Sequence, residues 1–468
     1  MNKTLKAMFS FVMVSVLVIC GLIFLSDITE RKESKKKFEE FYEQKADYDV
    51  LFLGSSHVLN GIYPMELWND YGIVSYNMGT HGGRSAGSYW VLKNALDYTT
   101  PKLVVVDCFM ISMDEKISSA EKLHMATDHI PLSKNKIKMV YDMVDDEERY
   151  GDFLWKFSTY HNRWSELSAE DFSYEHSVEK GAESRISVAI PDENIVGEFP
   201  YEVGGDTNGK EYLCRLIEEC QEQGIQVLLT YIPFPDNLGW QQEADYVWDI
   251  AEKYNVQYLD YQTLKAQLNF ATDCYDKDSH LNPSGARKIT DYIGNYITSV
   301  HGIEDQRVNV DYDKWHEDYE VYTQFKAENL RKENNLYNYL MLLQDKNLSY
   351  GIYLRPGIDW NILPIMRELL MNIGVDLEQM VQDETCFVFV DNRNNTKKTM
   401  SVLEKMDTNF GEFALLYNDN GELELNSKEE EPLNVTFDDI GVIVFENKTL
   451  AMVEQVKFNS GSIELKIK

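Results

Sequence analysis

The chain has 468 residues, long enough for two domains with attachments. A formal net charge of -33 and a pI near 4.6 exclude DNA or RNA as a partner, because nucleic-acid phosphates would be repelled. The hydrophobic fraction, 44%, is that of a folded protein, and no CxxC or Cys/His spacing marks a metal site.

The N-terminus carries Lys3 and Lys6, then an apolar stretch over 8–25. As a helix, eighteen residues span about 27 Å, close to the bilayer core. A cleaved signal peptide competes with this reading, but no Ala-x-Ala pattern follows, so an uncleaved anchor is favoured. Lys3, Lys6 and the terminal amine favour a cytoplasmic N-terminus, whereas Arg31, Lys32, Lys35, Lys36 and Lys37 pull the other way. The expected localisation is the cell membrane, single-pass, with an extracytoplasmic body. Residues 30–47 are charged and helical in pattern and read as a stalk.

Alternating strands and helices follow. Apolar runs at 50–53, 73–76, 102–106, 226–232 and 256–260 read as strands, with helices expected over 85–98, 209–223, 241–254 and 284–300. Continuous apolar strands between helices imply a mostly parallel sheet covered on both faces. Residues 112–201 break the alternation and read as a helical and loop insertion. From 305 a polar linker leads into a charged helix over 314–345. Short strands then recur at 351–354, 386–390, 413–417, 441–445 and 452–458, with Asn418-Asp-Asn-Gly421 as a turn signal. The domain reading is anchor 1–29, stalk 30–47, a main α/β domain 48–304, linker and helix 305–345, and a small C-terminal α/β accessory domain 346–468.

Two stretches carry chemistry. Asp49-Val-Leu-Phe-Leu-Gly54-Ser55-Ser56-His57 ends a buried strand in Gly-Ser-Ser, which can lift a serine above the sheet edge, where ligands of open α/β sheets bind. Ser56 is the better nucleophile candidate. A serine hydroxyl needs a base, and the base needs an orienting group. Asp276-Lys-Asp278-Ser-His280-Leu-Asn282 supplies both: His280 as base, with Asp278 or Asp276 to orient it. Asn77-Met-Gly79-Thr-His-Gly-Gly-Arg84 follows the second strand and offers backbone donors for an oxyanion, Gly79 and the N–H of Ser56. His57, Asn77 and Arg84 are placed beside the substrate, Arg84 to neutralise an anionic group. In the insertion, His161, Arg163 and Trp164 are candidates for a substrate wall, Trp164 for stacking on a sugar and Arg163 for pairing with a phosphate or carboxylate. Tyr231-Ile-Pro233-Phe-Pro235 is expected on the rim of the site, and Cys108 reads as a buried apolar residue.

The order and context of these blocks resemble the SGNH/GDSL hydrolase superfamily over about residues 49–300. Within it the likeness is to membrane-anchored members that work with membrane-bound acyltransferases on envelope polymers, of the teichoic acid D-alanylation type. Gly54-Ser55-Ser56 is similar to the first block, Asn77-Met-Gly79 to the second, and His280 in Ser-His-Leu-Asn-Pro-Ser-Gly to the last. The resemblance implies a three-layer flavodoxin-like domain, Ser56 as nucleophile, Gly79 as oxyanion donor, His280 as base and no cofactor. Two departures stand out: Lys277 occupies the position three before the histidine, and no Asn follows the strand Leu103-Val-Val-Val-Asp107. The strands around 438–458 resemble the interleukin-like epithelial–mesenchymal inducer domain, a carbohydrate-associated fold.

The expected function is that of an anchored serine esterase or acyltransferase acting on ester-linked acyl groups of a cell-envelope glycopolymer. Its partners would be the glycopolymer or an acyl donor and a membrane-bound O-acyltransferase. The alternative is a catalytically silent carbohydrate-binding or assembly protein that keeps the fold.

Overall fold

The computed structural model describes residues 3–44, 47–109, 111–172, 177–189, 201–233, 238–360, 365–421, 423–427, 434–436, 439–458 and 466–467. Two compact units emerge. The first comprises Met1–Glu183, Val196–Gln267 and Ile289–Tyr319, and the second Ser184–Ile195, Leu268–Lys288 and Glu320–Lys468.

The first unit begins with α1 (Lys3–Thr29) and α2 (Lys32–Gln44). Within α1, Leu5–Thr29 is long and apolar enough to cross a membrane, and its side chains from Met8 to Leu25 are largely exposed. The segment read as a stalk contains α2, which buries Phe38, Phe41 and Tyr42. Phe41 stacks on Tyr48 at 5.2 Å and meets the edge of Tyr76 at 5.2 Å. A three-aromatic face of this kind excludes more apolar surface from water than a solvated stalk would.

Five parallel strands follow: β1 (Val50–Leu53), β2 (Ser75–Asn77), β3 (Leu103–Asp107), β4 (Gln226–Thr230) and β5 (Gln257–Leu259). Their order is β2-β1-β3-β4-β5, with every pairing parallel. All residues of β1 and β3 are buried, as their unbroken apolar runs require for a sheet covered on both faces. Because β2 lies on one side of β1 and β3 on the other, the topological switch point falls just beyond β1. Helices α3 (Ser56–Gly61), α4 (Pro64–Tyr71) and α5 (Ser85–Ala95) join these strands. The insertion contributes α6 (Ala120–Thr127), α7 (Lys134–Met143), α8 (Tyr150–Leu154) and α9 (Lys156–Tyr160). Next come α10 (Asn208–Glu222), α11 (Leu238–Tyr254), α12 (Tyr261–Lys265) and α13 (Pro283–Tyr296).

The charged helix expected over 314–345 is two helices, α14 (Asp313–Lys332) and α15 (Leu336–Leu342). Asn335 ends the run by capping α15, its side chain accepting from the N–H groups of Tyr337 and Asn338 at 2.9 and 3.2 Å.

The second unit is antiparallel. Its strands are β6 (Leu348–Leu354), β7 (Phe387–Asp391), β8 (Thr396–Met400), β9 (Lys405–Thr408), β10 (Gly411–Tyr417), β11 (Leu423–Ser427), β12 (Asn434–Thr436), β13 (Ile440–Glu446), β14 (Met452–Phe458) and β15 (Lys466–Ile467). They form a six-stranded sheet, β15-β14-β13-β6-β7-β8, and a four-stranded sheet, β12-β11-β10-β9. Alternation on β7 and β13 sorts two cores. Val388, Val390, Val442 and Val444 face α15, α16 (Met366–Asn372) and α17 (Leu377–Gln382), while Phe387, Phe389, Ile443 and Phe445 share a core with Phe413, Leu415 and Leu425 of the smaller sheet. The Asn418–Gly421 turn joins β10 to β11, Gly421 N–H donating to Asn418 O at 2.9 Å. The acidic stretch 429–431 lies outside the described residues.

Candidate active-site elements

The chain leaves β1 through Gly54, whose φ is +155°. A Cβ there would stand 2.6 Å from Val58 Cγ2 and 2.9 Å from Asp107 Cβ, so only glycine lets β3 approach this closely. The two serines then divide their tasks. Ser55 is buried and caps α3, its Oγ accepting from His57 N–H at 3.2 Å. Ser56 opens α3 and is half-buried. Of the pair, Ser56 is thus the one with access to solvent.

The loop after β2 packs against this turn. Thr80 N–H donates to Gly54 O at 3.0 Å, and a Cβ on Gly83 would lie 2.7 Å from that same carbonyl oxygen. At Gly79 a Cβ would lie 2.7 Å from Leu59 N and 2.9 Å from Ser55 O. Two sequence expectations are corrected here. Asn77 does not face a substrate: it is fully buried, donating to Val58 O at 2.7 Å and Ile62 O at 2.8 Å, so it secures the end of α3. Its Oδ1 accepts the N–H of Gly79 at 3.0 Å. The Gly79 donor is therefore engaged within the fold rather than aimed at an oxyanion, and its glycine serves close packing.

His57 is buried, its ring edge-on to Phe109 at 4.3 Å, and Phe109 stacks on Trp240 at 5.4 Å. Arg84 is half-buried at the start of α5, and burial draws its guanidinium below the ordinary range against the opposing charges of Tyr201 and Glu115.

Three groups beside this turn escaped the sequence reading. Lys37 of α2 donates to Gly79 O, and to Gly181 O at 2.8 Å. Burial draws its ammonium down to about 7, against the pull of Glu183. His81 Nε2 lies 2.8 Å from Glu183 Oε2, and the Glu183 backbone is tied to α3 through Leu59 O at 3.0 Å and Asn60 Nδ2 at 2.7 Å. His81 stood in the glycine-rich stretch, but nothing in the sequence linked it to Glu183. The third is Asp107, at the end of β3. Burial pushes its carboxyl up to about 7, with the Ile232 N–H opposing and Glu243 adding to the rise. Its Oδ1 accepts that N–H at 2.8 Å.

Tyr231 is a core residue rather than a rim residue: it is fully buried and its hydroxyl donates to Glu243. Residues 234–237, part of that expected rim, lie outside the described residues. Cys108 is buried, and burial pushes its thiol well up, which suppresses the thiolate.

His280 and its acids belong to the second unit. The chain reverses between Cys274 and Leu281, which form an isolated antiparallel bridge, with Tyr275 N–H donating to His280 O at 2.9 Å. Ser279 takes φ +70° to close the turn, a conformation uncommon for a residue with a Cβ. His280 Nδ1 then lies 2.8 Å from Asp276 Oδ2, and its backbone N–H donates to Asp276 Oδ1 at 3.1 Å. Burial raises the Asp276 carboxyl, but bonding and charge from His280 and the N–H groups of His280 and Asp278 outweigh it and hold it below the ordinary range. Asp278 is exposed. The His280 ring stacks on Tyr275 at 5.5 Å.

The rest of the motif supports the turn. Asn282 is fully buried, donating to Thr272 O at 2.8 Å and accepting from the N–H groups of Ser284 and Gly285 at the start of α13. Pro283 occupies the first helical position, where a missing N–H costs nothing. A Cβ on Gly285 would sit 2.5 Å from Asp273 O.

The insertion candidates point elsewhere. His161 is exposed, its Nδ1 2.8 Å from Ser158 O. Arg163 donates to Thr29 O at 2.6 Å and to Asp171 at 3.1 Å, holding the end of α1. Trp164 is 72% exposed. The substrate-wall expectation is corrected for Arg163, whose guanidinium is occupied in fastening two parts of the fold. No cluster of three or more metal-ligating side chains occurs among the described residues.

No family model matches the chain, and no curated protein does. Among solved structures, one match is a crystal structure of a candidate acylhydrolase from Bacteroides fragilis. It is 12% identical with a TM-score of 0.29, covering 56% of this chain and 97% of that chain.

Proposed function

We propose that this chain is a membrane-anchored SGNH-type serine esterase or acyltransferase, acting on ester-linked acyl groups of a cell-envelope glycopolymer outside the cytoplasm. The observation that carries the proposal is the Asp276–His280 pair, a carboxylate 2.8 Å from the histidine Nδ1, an arrangement in which Nε2 would serve as the base. The strand order 2-1-3-4-5, which is flavodoxin-like, and the position of Ser56 immediately after β1 agree with it.

In this mechanism Ser56 Oγ bonds to the acyl carbonyl carbon while its proton passes to His280 Nε2. The tetrahedral oxyanion collapses, the C–O bond to the leaving alcohol breaks, and His280 returns the proton to that alcohol. Water or a second alcohol then gives its proton to His280 and attacks the acyl-enzyme carbonyl; the C–Oγ bond breaks and His280 returns that proton to Ser56 Oγ. Asp276 orients the ring and stabilises the imidazolium. No step calls for a metal or cofactor. A membrane-bound O-acyltransferase is the proposed source of acyl groups.

The test is the detergent-solubilised full chain incubated with activated aryl esters and a serine-reactive fluorophosphonate. Adduct at Ser56, lost in Ser56→Ala and His280→Ala, is expected. Absence of label at Ser56, together with unchanged polymer acylation in cells carrying Ser56→Ala, would overturn the reading.

A second reading, a catalytically silent carbohydrate-binding or assembly protein, is favoured by two observations. The Gly79 N–H is spent on Asn77, and the strand ending at Asp107 brings no Asn after it. Glycan binding without turnover, unaffected by Ser56→Ala, would select it.

A further inference from the structure

Among the described residues the helical insertion leaves six large apolar side chains in the open, and four of them concern the end of α1: Leu132 (69% exposed), Trp155 (52%), Trp164 (72%) and Phe172 (67%). Scattered exposed apolar residues need no explanation, but these four share a location. Leu132 and Trp155 line one cavity of about 320 Å³ together with Ile23, Ser26, Asp27 and Glu30 from the end of α1. Trp164 follows Arg163, whose Nη1 holds Thr29 O at 2.6 Å. Phe172 follows Asp171, which accepts from the same guanidinium at 3.1 Å. Leu132 and Trp155 therefore adjoin the last turns of α1, and Trp164 and Phe172 each follow a residue in the Arg163 network that holds its end.

That end of α1 is built into the insertion rather than left hanging from it. Lys156 pairs with Glu30 at 2.5 Å, and Lys35 pairs with Asp27 at 2.5 Å and with Glu30 at 3.4 Å. Glu30 is 1% exposed at its side chain, so its cations are needed to hold it there. A helix of 27 residues is about 40 Å long, against roughly 30 Å of hydrocarbon. With the apolar stretch up to Leu25 in the hydrocarbon, Ser26–Glu30 lies at the headgroup level. Tryptophan and its neighbours then stand at the depth where an aromatic side chain with one polar edge is most stable.

We infer that the insertion is a membrane-seating collar: Trp155, Trp164, Phe172 and Leu132 enter the lipid interface around the point where α1 leaves the bilayer. The occupant of this surface is lipid, because it is continuous with the exposed apolar side of a helix long enough to span. The inference rests on the anchor reading and is independent of the acyl chemistry.

The test uses the full chain, purified from membranes and reconstituted in bilayer nanodiscs of phosphatidylglycerol and phosphatidylethanolamine, with acyl chains brominated either near the glycerol or near the methyl end. None of the chain's eight tryptophans lies in α1, so quenching reports on the body. Shallow bromines are expected to quench the parent more than deep ones, and Trp155→Phe/Trp164→Phe should lose most of that quenching while circular dichroism stays unchanged. Intact-mass spectrometry of the same sample separates the two ways of failing. A mass lacking α1 overturns the anchor and the collar with it. A full mass with equal quenching in parent and double variant, or tryptophans reached by aqueous iodide and not by brominated lipid, overturns the collar alone and points to a protein partner on this face.

Discussion

His280 Nδ1 meets Asp276 Oδ2 at 2.8 Å, while the backbone N–H of the same histidine donates to Asp276 Oδ1 at 3.1 Å. One carboxylate thus fixes both the ring and the main chain of its partner, four residues on. Asp276→Asn should lower kcat by roughly 10²–10⁴-fold with KM little changed, since the amide misplaces the proton on the ring. Asp278→Asn, at an exposed position, should stay within about twofold. Steady-state kinetics on an aryl ester decide it, and equal losses in the two variants would contradict this division of roles.

Ser55 and Ser56 should separate as cleanly. Ser55→Ala removes the cap on α3 and should cost about 1 kcal/mol in denaturant unfolding while fluorophosphonate labelling persists. Ser56→Ala should lose labelling with a smaller change in stability. Labelling that disappears in Ser55→Ala but persists in Ser56→Ala would reverse the assignment.

Asn77→Ala tests whether this residue is a brace. It would strand two carbonyl oxygens and the Gly79 N–H in a buried place, and should cost about 2–4 kcal/mol in stability. A substrate-binding residue would instead raise KM with stability unchanged. Urea midpoints alongside KM distinguish the outcomes.

Asp107 makes the fold sensitive to pH. Its folded value, about 7, exceeds the unfolded value of about 3.9, so the native state holds the proton more tightly. The stability this contributes is complete below about pH 4 and is lost as pH rises through about 7. Asp107→Asn, which keeps an acceptor for the Ile232 N–H, should flatten that decline by an amount on the order of 2–4 kcal/mol between pH 4 and 8. Parallel urea-midpoint curves for parent and variant would rule it out.

What could be read from the sequence follows from physical type. β1 and β3 announce themselves because a strand buried on both faces must be apolar throughout. β8 and β9 do not, because most of their side chains face water, and Thr-Lys-Lys-Thr reads as a loop. The Gly-Ser-Ser turn and the Asp/His stretch were visible as motifs, whereas the choice between Asp276 and Asp278 depended on how Ser279 turns the chain. Asn77 was misread since a buried polar side chain satisfied by backbone has the same sequence signature as one facing a ligand. Lys37 and Glu183 were invisible: a lysine in a charged run reads as solvated, and a charge interaction across 146 positions leaves no local trace.

The packing of α2 has one more consequence. A helix that buries Phe38, Phe41 and Tyr42 and reaches Gly79 through Lys37 cannot act as a tether. Only Glu30 and Arg31 separate it from α1, so whatever orients the first helix also orients the loop beside Ser56. Under the proposed anchored-esterase function, the serine would work at a fixed height above the membrane rather than through a swept volume, and a polymer would have to bring its esters to that height to be modified.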